Sequence, residues 1–357
     1  MEAALIKVFV PTAIAFVVGL LITPLISKQL YAHRAWKKQA GKGSGYGGGG
    51  TPIFDELHKE KDTNTPRLGG LVIVLATLLT VALFAGTGEL QPDGYFGQID
   101  FLTRSQTWLP LVALLVGAVV GFIDDVLVIT NRGGHFAGGL SLVIRLAVVT
   151  LTAIFSGWWF YEKLEVSSVG VLGVGPIDIG IFFIPFFVFV AVCIYMSSVI
   201  DGLDGLAGGV FMFIFAAYGG IAYYQMQYDL AALCATLVGG ILAFLWFNIP
   251  PARFYMTETG IMALTMCLTI VVFMTDVLGG GEGVSLLPII GILLVATVAA
   301  NTIQIVAKKF FGRKVFLVAP LHHHFEALGW PAHKVTMRYW VLGFVAAVVG
   351  MILAISF

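Results

Sequence analysis

The chain has 357 residues, of which 59% are hydrophobic and 11% are charged. A soluble domain carries about 25% charged residues, so this composition excludes a soluble globular protein and indicates an integral membrane protein. The formal net charge is zero, which argues against a nucleic-acid partner. The cysteines all lie inside apolar runs, where they pack as small hydrophobic side chains, and we predict neither disulfides nor a zinc site.

Ten segments are apolar for about the 20 residues that a helix needs to cross a bilayer. We therefore predict an all-α, polytopic membrane protein with about ten transmembrane helices, near residues 6–27, 69–86, 107–123, 140–160, 179–199, 206–224, 230–247, 261–278, 284–306 and 338–356. Residues 164–174 alternate branched apolar residues with Gly and Ser, which predicts a short β-hairpin. No internal repeat or separate soluble domain is recognisable, so residues 1–357 are expected to form a single transmembrane domain.

Basic residues are concentrated in alternate connections. Lys and Arg cluster after spans 1, 3, 5, 7 and 9, whereas the opposite connections hold only Lys7, Arg104 and Lys163 beside several acidic residues. By the positive-inside rule, the first set of connections is cytoplasmic and both termini lie outside. Residues 41–50, in the first of these connections, form a glycine-rich linker. This linker lacks the strand and helix context that a phosphate-binding loop needs.

Polar residues collect in five clusters on the predicted cytoplasmic side. In chain order the clusters are residues 58–70, 121–125, 197–207, 247–260 and 319–326. Together they hold three consecutive histidines and five carboxylates: Asp124, Asp125, Asp201, Asp204 and Glu258. Carboxylate oxygens suit Mg²⁺, which is usually held by one or two of them and by substrate phosphates. A metal-bridged diphosphate near lysines supports phosphoryl transfer, and the membrane location implies that one substrate is a lipid.

Each cluster also has a simpler interpretation. Asp201 and Asp204 are spaced to share one face of a helical turn, with glycines that let a phosphate or metal approach. They could instead belong to a polar loop that caps the next helix. Asp124 and Asp125 could simply be solvated at a helix end. The histidines could form a zinc site, although no cysteine or second histidine cluster completes one. A transporter is disfavoured because the polar residues lie at one surface and not along a midplane path.

The motifs themselves resemble those of a known family. The sequences Thr-Pro-Arg-Leu-Gly-Gly, Gly-Phe-Ile-Asp-Asp, Asp-Gly-Leu-Asp-Gly-Leu-Ala, Phe-Asn-Ile-Pro-Pro-Ala and Ala-Pro-Leu-His-His-His-Phe-Glu occur here in the order found in the polyprenyl-phosphate N-acetylhexosamine-1-phosphate transferases. The last motif, with residues 328–330 and 338–340 after it, resembles the branch that uses phospho-MurNAc-pentapeptide. The resemblance spans nearly the whole chain.

This resemblance implies ten transmembrane helices with cytoplasmic active-site loops, in the inner (cytoplasmic) membrane of a bacterium. The implied enzyme is Mg²⁺-dependent and transfers phospho-MurNAc-pentapeptide from its UDP-linked donor to undecaprenyl phosphate, giving lipid I and UMP for peptidoglycan synthesis. A sister transferase that uses UDP-GlcNAc is the nearest alternative, and the triple-histidine motif disfavours it. A catalytically impaired homologue that binds lipid or nucleotide is a second alternative. The implied partners are the UDP-linked donor and the lipid acceptor, with a homodimer as a further candidate.

The resemblance also implies roles for individual residues. Asp124 matches a proposed base for the lipid phosphate, and Asp125 matches its neighbour. Asp201 and Asp204 match aspartates that serve nucleotide and metal binding, and Glu258 matches a Mg²⁺ ligand. The implied substrate-binding residues are Lys61, Asn248 in the uridine pocket, Tyr255 stacked on uracil, His322, His323 and His324. Direct transfer with Asp124 as base and a two-step route through a phospho-aspartate both stay open.

Several positions depart from the family's pattern. Val128 stands where the family has a lysine, and Arg67 where it has a threonine. The family's Met-Gly-Asp sequence is Met256-Thr257-Glu258 here, its Asn-Leu-Thr-Asp sequence is residues 198–201, and a glutamate expected in span 9 is Asn301. Glu258 keeps the charge of the metal ligand on a side chain that is one methylene longer.

Overall fold

The computed structural model describes residues 2–38, 64–91, 94–132 and 139–357. Within these ranges, ten helices are long and apolar enough to cross a membrane, which confirms the predicted all-α polytopic class. The helices are α1 (Glu2–Ala32), α2 (Gly70–Leu90), α3 (Tyr95–Ile99), α4 (Trp108–Thr130), α5 (Leu142–Lys163), α6 (Phe183–Met196), α7 (Leu206–Tyr224), α8 (Tyr228–Asn248), α9 (Thr257–Met274), α10 (Gly283–Ile290), α11 (Ile292–Phe311), α12 (Leu321–Ala327) and α13 (Ala332–Ser356). All except α3, α10 and α12 are candidate spans, and the span of α6 includes 3-10 turns at both ends.

The predicted ninth span, residues 284–306, is wrong in its boundaries. The structure divides this region into α10 and α11, which meet at Gly291. The carbonyl of Gly291 accepts the amides of Leu294 at 2.8 Å and Val295 at 3.0 Å, so the second helix starts there. Pro288 lies inside α10 and cannot donate a backbone hydrogen bond. The spanning helix is therefore α11, which begins and ends later than predicted.

The predicted hairpin is present, but it extends to residue 178 instead of 174. Strands β1 (Ser168–Val171) and β2 (Gly175–Asp178) pair antiparallel, with Ser168 opposite Asp178. Asp276, just after α9, accepts the amide of Gly170 in β1 at 2.9 Å and the amide of Val284 in α10 at 3.1 Å. Burial raises the pKa of Asp276 to about 6, although its backbone hydrogen bonds act in the opposite direction. This carboxyl ties the hairpin to the bundle at the C-terminal end of α9.

Helix α9 lies in the middle of the bundle, where 94% of its most apolar window is buried. After Glu258 it carries no charged side chain, as is typical of a helix that is surrounded by protein. It packs most extensively on α4, and also on α6 and α2. Close approach requires glycine at Gly121 of α4, because a Cβ there would collide with the backbone of Glu258. This contact places the C-terminal end of α4 beside the N-terminus of α9.

Candidate active site

The N-terminus of α9 is held by carboxylates from two other segments. Asp201, in the loop after α6, accepts the amide of Thr257 through Oδ2 at 2.9 Å. Asp125, near the end of α4, accepts the amide of Thr259 through Oδ2 at 3.0 Å. Carboxylates are favourable at helix N-termini because the first amides are unpaired and the helix dipole is positive there. The structure thus brings two predicted site carboxylates to the first turn of α9, which also contains Glu258.

Asp125 is fully buried and both of its oxygens are occupied. Oδ2 also accepts the hydroxyls of Thr257 at 2.7 Å and Thr259 at 2.6 Å. Oδ1 accepts Nε and Nη2 of Arg67 at 3.1 and 2.9 Å. Burial acts to lower the pKa of Arg67, but the attraction of Asp125, with smaller contributions from the other nearby carboxylates, outweighs it and raises that pKa. Asp125 therefore joins α4 to α9 through the two threonines and to the segment before α2 through the charged Arg67. Both of its oxygens are used in these contacts, and neither is left for a metal.

A second group consists of Asp124, Arg145 and Glu258. Arg145, in the first turn of α5, donates through Nη1 to Oε1 of Glu258, and its Nε lies 4.0 Å from Oδ1 of Asp124. Asp124 is buried, and its Oδ1 accepts the amide of Leu140 at 2.7 Å. Two buried polar atoms of the group, Nε of Arg145 and Oε2 of Glu258, have no hydrogen-bond partner in the part of the chain that the structure describes.

The chemistry of this second group can be compared with the Mg²⁺ that the resemblance implies. Oε2 of Glu258 is a buried carboxylate oxygen without a hydrogen-bond partner in the described part of the chain, and carboxylate oxygens are the type of ligand that Mg²⁺ prefers. Within the described ranges, no group of three or more His, Cys, Asp and Glu residues could hold a metal by itself. Mg²⁺ usually completes its coordination with water and substrate phosphates. The residues fit an ion that is bound jointly by Glu258 and a substrate phosphate.

Asn248, at the end of α8, connects two loops of the site. Its Oδ1 accepts the amide of Gly205 at 2.9 Å, and its Nδ2 donates to the carbonyl of Phe254 at 2.8 Å. Asp204, on the first of these loops, accepts the amide of Ala252 through Oδ2 at 3.3 Å. Both ends of the Asn248 amide are thus used within the protein. In this structure Asn248 supports the loops on either side of the predicted nucleotide pocket.

Helix α13 supports the loop of Asp201 and Asp204 from the other side. Thr336 donates through its hydroxyl to the carbonyl of Asp204 at 3.1 Å, and Trp340 donates through Nε1 to the carbonyl of Gly205 at 3.0 Å. Gly205 has a φ of +74°, in the left-handed region that favours glycine. The loop is therefore fixed at its turn by tertiary hydrogen bonds and presents its two carboxylates towards α9 and the loop after α8.

The triple-histidine motif meets the same loop. A Cβ on Gly202 would collide with Nε2 of both His322 and His323, so glycine at this position permits the close approach of α12. Both histidines are buried, and Nδ1 of His323 shares a hydrogen bond of 2.7 Å with Oε2 of Glu326. His324 accepts a backbone amide seven residues earlier at 3.3 Å. Two of the three predicted histidines therefore border the carboxylate loop, and the third packs within its own segment.

Comparison with known proteins shows which family the chain belongs to. The family described as Glycosyl transferase family 4 matches residues 107–276. A Listeria welshimeri protein named phospho-N-acetylmuramoyl-pentapeptide-transferase is 32% identical over 312 residues, which cover 86% of this chain and 90% of that protein. The chain belongs to the phospho-N-acetylmuramoyl-pentapeptide-transferase family. Proteins of the same name from Chloroflexus aurantiacus and Chloroflexus aggregans are 34% identical over 307 residues and 32% identical over 350 residues, covering 82% and 94% of this chain and 78% and 88% of their own lengths. The predicted resemblance is confirmed.

Two of the residues that depart from this transferase family's motifs contact the same carboxylate, Asp125. Thr257, in place of the family's glycine, has a φ of +54°, which is strained for a β-branched residue. Its amide bonds Asp201 and its hydroxyl bonds Asp125, so two carboxylates hold this conformation. Arg67 binds the same Asp125. Val128, in place of the family's lysine, is buried one turn beyond Asp124 on α4.

Of the remaining predicted substrate-binding positions, the structure describes Tyr255 but not Lys61. The backbone of Tyr255 donates to the carbonyl of Pro66 at 2.9 Å and accepts the amide of Gly69 at 2.8 Å, which joins the loop after α8 to the segment before α2. Lys61 lies outside the described residues. Its role in substrate binding, like the roles of the other site residues, stays a prediction.

Sequence reasoning missed Arg145 and the residues that support the loops. Arg145 did carry a signal, because a charged side chain within an apolar span is a functional candidate by default. Thr336 reaches the site through tertiary packing, and no local pattern identifies it. Thr259 and Trp340 lie in the 247–260 cluster and the 338–340 motif, but the sequence does not show which groups they bind.

Proposed function

We propose that this chain transfers phospho-MurNAc-pentapeptide from its UDP-linked donor to undecaprenyl phosphate, giving lipid I and UMP. The observation that carries the proposal is the convergence of Asp125, Asp201 and Glu258 on the first turn of α9. Asp124 and two histidines border the same region. The curated relatives, which are 32% and 34% identical to this chain over the aligned residues, are named phospho-N-acetylmuramoyl-pentapeptide-transferases, which supports this proposal.

In this reaction, an oxygen of the lipid phosphate forms a bond to the β-phosphorus of the donor. The bond from that phosphorus to the bridging oxygen breaks, and the oxygen leaves with UMP. Both reactants are anionic, so the site must reduce the repulsion between them. The positive side chains of Arg67 and Arg145 and the N-terminal end of α9 provide positive potential there. Bound Mg²⁺, held by Glu258, would supply further neutralisation of the diphosphate.

Asp124 is proposed to position or deprotonate the attacking lipid phosphate. Its Oδ1 is fixed by the amide of Leu140, while Oδ2 takes part in none of the hydrogen bonds of the described residues. The donor is proposed to be contacted from the other side of the α9 N-terminus, across from Asp124, by Asp201, Asp204, His322 and His323. Asn248 is proposed to contribute to uridine binding by holding the two loops that it connects. Tyr255 is proposed to stack on the uracil.

The catalytic assay that tests this proposal uses purified protein in detergent with Mg²⁺, a polyprenyl phosphate and either UDP-MurNAc-pentapeptide or UDP-GlcNAc. We expect the pentapeptide donor to be used. Asp124→Asn should lower turnover by about 10²–10⁴-fold, the usual range for a general base or acid. The matched control is Asp178→Asn, because Asp178 is exposed in the hairpin at the other end of the bundle. It should keep parental turnover.

Each contrary outcome has a definite meaning. Use of UDP-GlcNAc alone would assign the chain to the sister transferases. Loss of both activities in a well-folded preparation would identify an impaired homologue. An Asp124→Asn protein with more than about half of the parental turnover would remove Asp124 from the chemistry, since that loss lies far below the range for acid–base groups.

We also propose that the site lies on the cytoplasmic face of the inner membrane and that both termini lie outside. The argument is the bias of Lys and Arg towards the connections that carry the site. A cysteine at Lys314 should resist a membrane-impermeant thiol reagent in intact cells, whereas a cysteine at Val174 in the hairpin should react. Both side chains are exposed, and the parent protein with its three natural cysteines gives the background. If position 314 is labelled and position 174 is not, the proposed membrane orientation is wrong and the site lies outside.

A further inference from the structure

The ion pair of Arg145 and Glu258 contains one buried donor and one buried acceptor that lack a hydrogen-bond partner among the described residues. Nη1 of Arg145 donates to Oε1 of Glu258. Nε of the arginine and Oε2 of the glutamate have no hydrogen-bond partner among the residues that the structure describes. Nε is also 4.0 Å from Oδ1 of Asp124, which is beyond hydrogen-bonding distance. Buried polar groups are nearly always satisfied in proteins, so these two atoms indicate that the site is completed by a ligand.

The two atoms require groups of opposite character. Nε needs an acceptor such as a phosphate oxygen, and Oε2 needs a cation or a donor. A divalent cation by itself would add two positive charges beside the guanidinium of Arg145. A diphosphate by itself would add negative charge beside Asp124 and Glu258. Both arrangements place like charges close together in a buried site, where repulsion is strong. A cation and a diphosphate that bind together satisfy both atoms and balance the charges.

We infer that Arg145 couples metal binding to diphosphate binding. Without the donor, its guanidinium holds Glu258. A divalent cation gains Glu258 only when a nucleoside diphosphate attracts the guanidinium away. This inference rests on the proposed function, because the UDP-linked donor supplies the diphosphate. Arg145 is then a positioning residue, and the coupling is reciprocal, so cation and nucleotide strengthen each other's binding by the same factor.

The first measurement titrates Mn²⁺, as a paramagnetic substitute for Mg²⁺, into nucleotide-free protein and follows free Mn²⁺ by electron paramagnetic resonance. We expect Arg145→Gln to bind Mn²⁺ about tenfold more tightly than the parent, within the usual range of coupling between sites. Arg145→Lys, which keeps the charge, should stay close to the parent. Arg104→Gln is the matched control, because Arg104 is exposed before the N-terminus of α4, the opposite end from Asp124.

The second measurement titrates UDP by calorimetry, once with Mn²⁺ and once with a chelator. In the parent, Mn²⁺ should strengthen UDP binding by about tenfold, and in Arg145→Gln this gain should largely disappear. Complex formation between UDP and Mn²⁺ in solution is the same for both proteins and cancels in the comparison. The inference is overturned if Arg145→Gln binds Mn²⁺ no more tightly than the parent. The inference is also overturned if the affinity of the parent for UDP is independent of Mn²⁺. That measurement uses the parent alone and does not depend on a variant being folded.

Turnover measured on the same preparations separates this inference from the proposed function. A parent protein that uses the pentapeptide donor but shows no coupling disproves the role of Arg145 and leaves the function in place. A parent protein that shows the coupling but uses no donor disproves the function and leaves the role of Arg145 in place.

Discussion

The adjacent residues Asp124 and Asp125 should respond very differently to the same substitution. Asp125 accepts five hydrogen bonds from Arg67, Thr257 and Thr259 and has no exposed surface. In Asp125→Asn, one of its two acceptor oxygens becomes an amide nitrogen that faces donors, and Arg67 loses its ionic partner. Asp124→Asn changes a residue with one backbone hydrogen bond and a distant arginine. We therefore expect Asp125→Asn to affect folding stability, and Asp124→Asn to affect chemistry.

The size of the effect follows from the geometry. Removal of one partner of a buried ion pair typically costs about 3–5 kcal/mol, because the other charge stays buried without compensation. The Arg67 side chain is 22% exposed, so water can reach part of it and the lower end of the range applies. At about 2 °C per kcal/mol for a chain of this size, the apparent melting temperature should fall by roughly 6 °C. Asp124→Asn should change it by much less.

The assay is thermal unfolding in detergent, followed by intrinsic fluorescence, with turnover measured on the same samples. The double variant Asp125→Asn/Arg67→Thr is the informative control, because it removes both charges and restores the family's threonine. It should recover at least half of the lost stability, since replacing both partners is far less costly than leaving one buried. If Asp125→Asn melts with the parent, or the double variant melts lower than Asp125→Asn, the structural role of this ion pair is refuted.

Three further outcomes are expected. Glu258→Gln should abolish Mg²⁺-dependent turnover because an amide brings no negative charge to the metal, whereas Glu258→Asp should keep a measurable fraction of the turnover. If Glu258→Gln and the parent depend equally on Mg²⁺, Glu258 is not a metal ligand. Replacement of residues 322–324 by alanine should weaken use of the pentapeptide donor without lowering the melting temperature by more than a few degrees, and an unchanged KM for the donor would contradict this. Burial raises the pKa of Asp276 to about 6, above its unfolded value, so between about pH 4 and 6 the folded protein binds this proton and the unfolded chain largely does not. Stability should therefore fall as pH rises from about 4 to 6, a slope that Asp276→Leu should remove in pH-dependent melting curves.

The number of helices was predictable because each span repeats a simple requirement of length and apolarity. Helix boundaries were less so. The sequence between residues 284 and 306 carries no charged residue, yet the chain breaks at Gly291, where backbone hydrogen bonds cap α11. Likewise, α9 begins four residues before the predicted start of its span at residue 261, because Asp125 and Asp201 pair with its first amides. Apolarity alone does not reveal caps that come from distant segments.

The carboxylates of the candidate site were predictable, because charge at a membrane boundary is costly without a function. The different contacts that each carboxylate makes were not predictable. Asp124 and Asp125 are neighbours in sequence, but they point to different partners, and only the structure shows that Arg67 and two threonines saturate the second. Arg145 was overlooked because it lies within an apolar span and belongs to none of the five clusters.

The departures from the family's motifs argue more strongly when they are taken together than one at a time. Arg67 and Thr257 both bind Asp125, and Glu258, the residue after Thr257, pairs with Arg145. Random loss of function would scatter substitutions among residues with unrelated contacts and would leave buried charges unpaired. Here Arg67, Thr257 and Glu258 each have a charged partner inside the site. Nε of Arg145 and Oε2 of Glu258, which have no hydrogen-bond partner among the described residues, are atoms that a phosphate and a cation would satisfy. A site that has stayed charge-balanced through several changes is one in which those charges are still used, which favours a working transferase over a homologue that only binds its ligands.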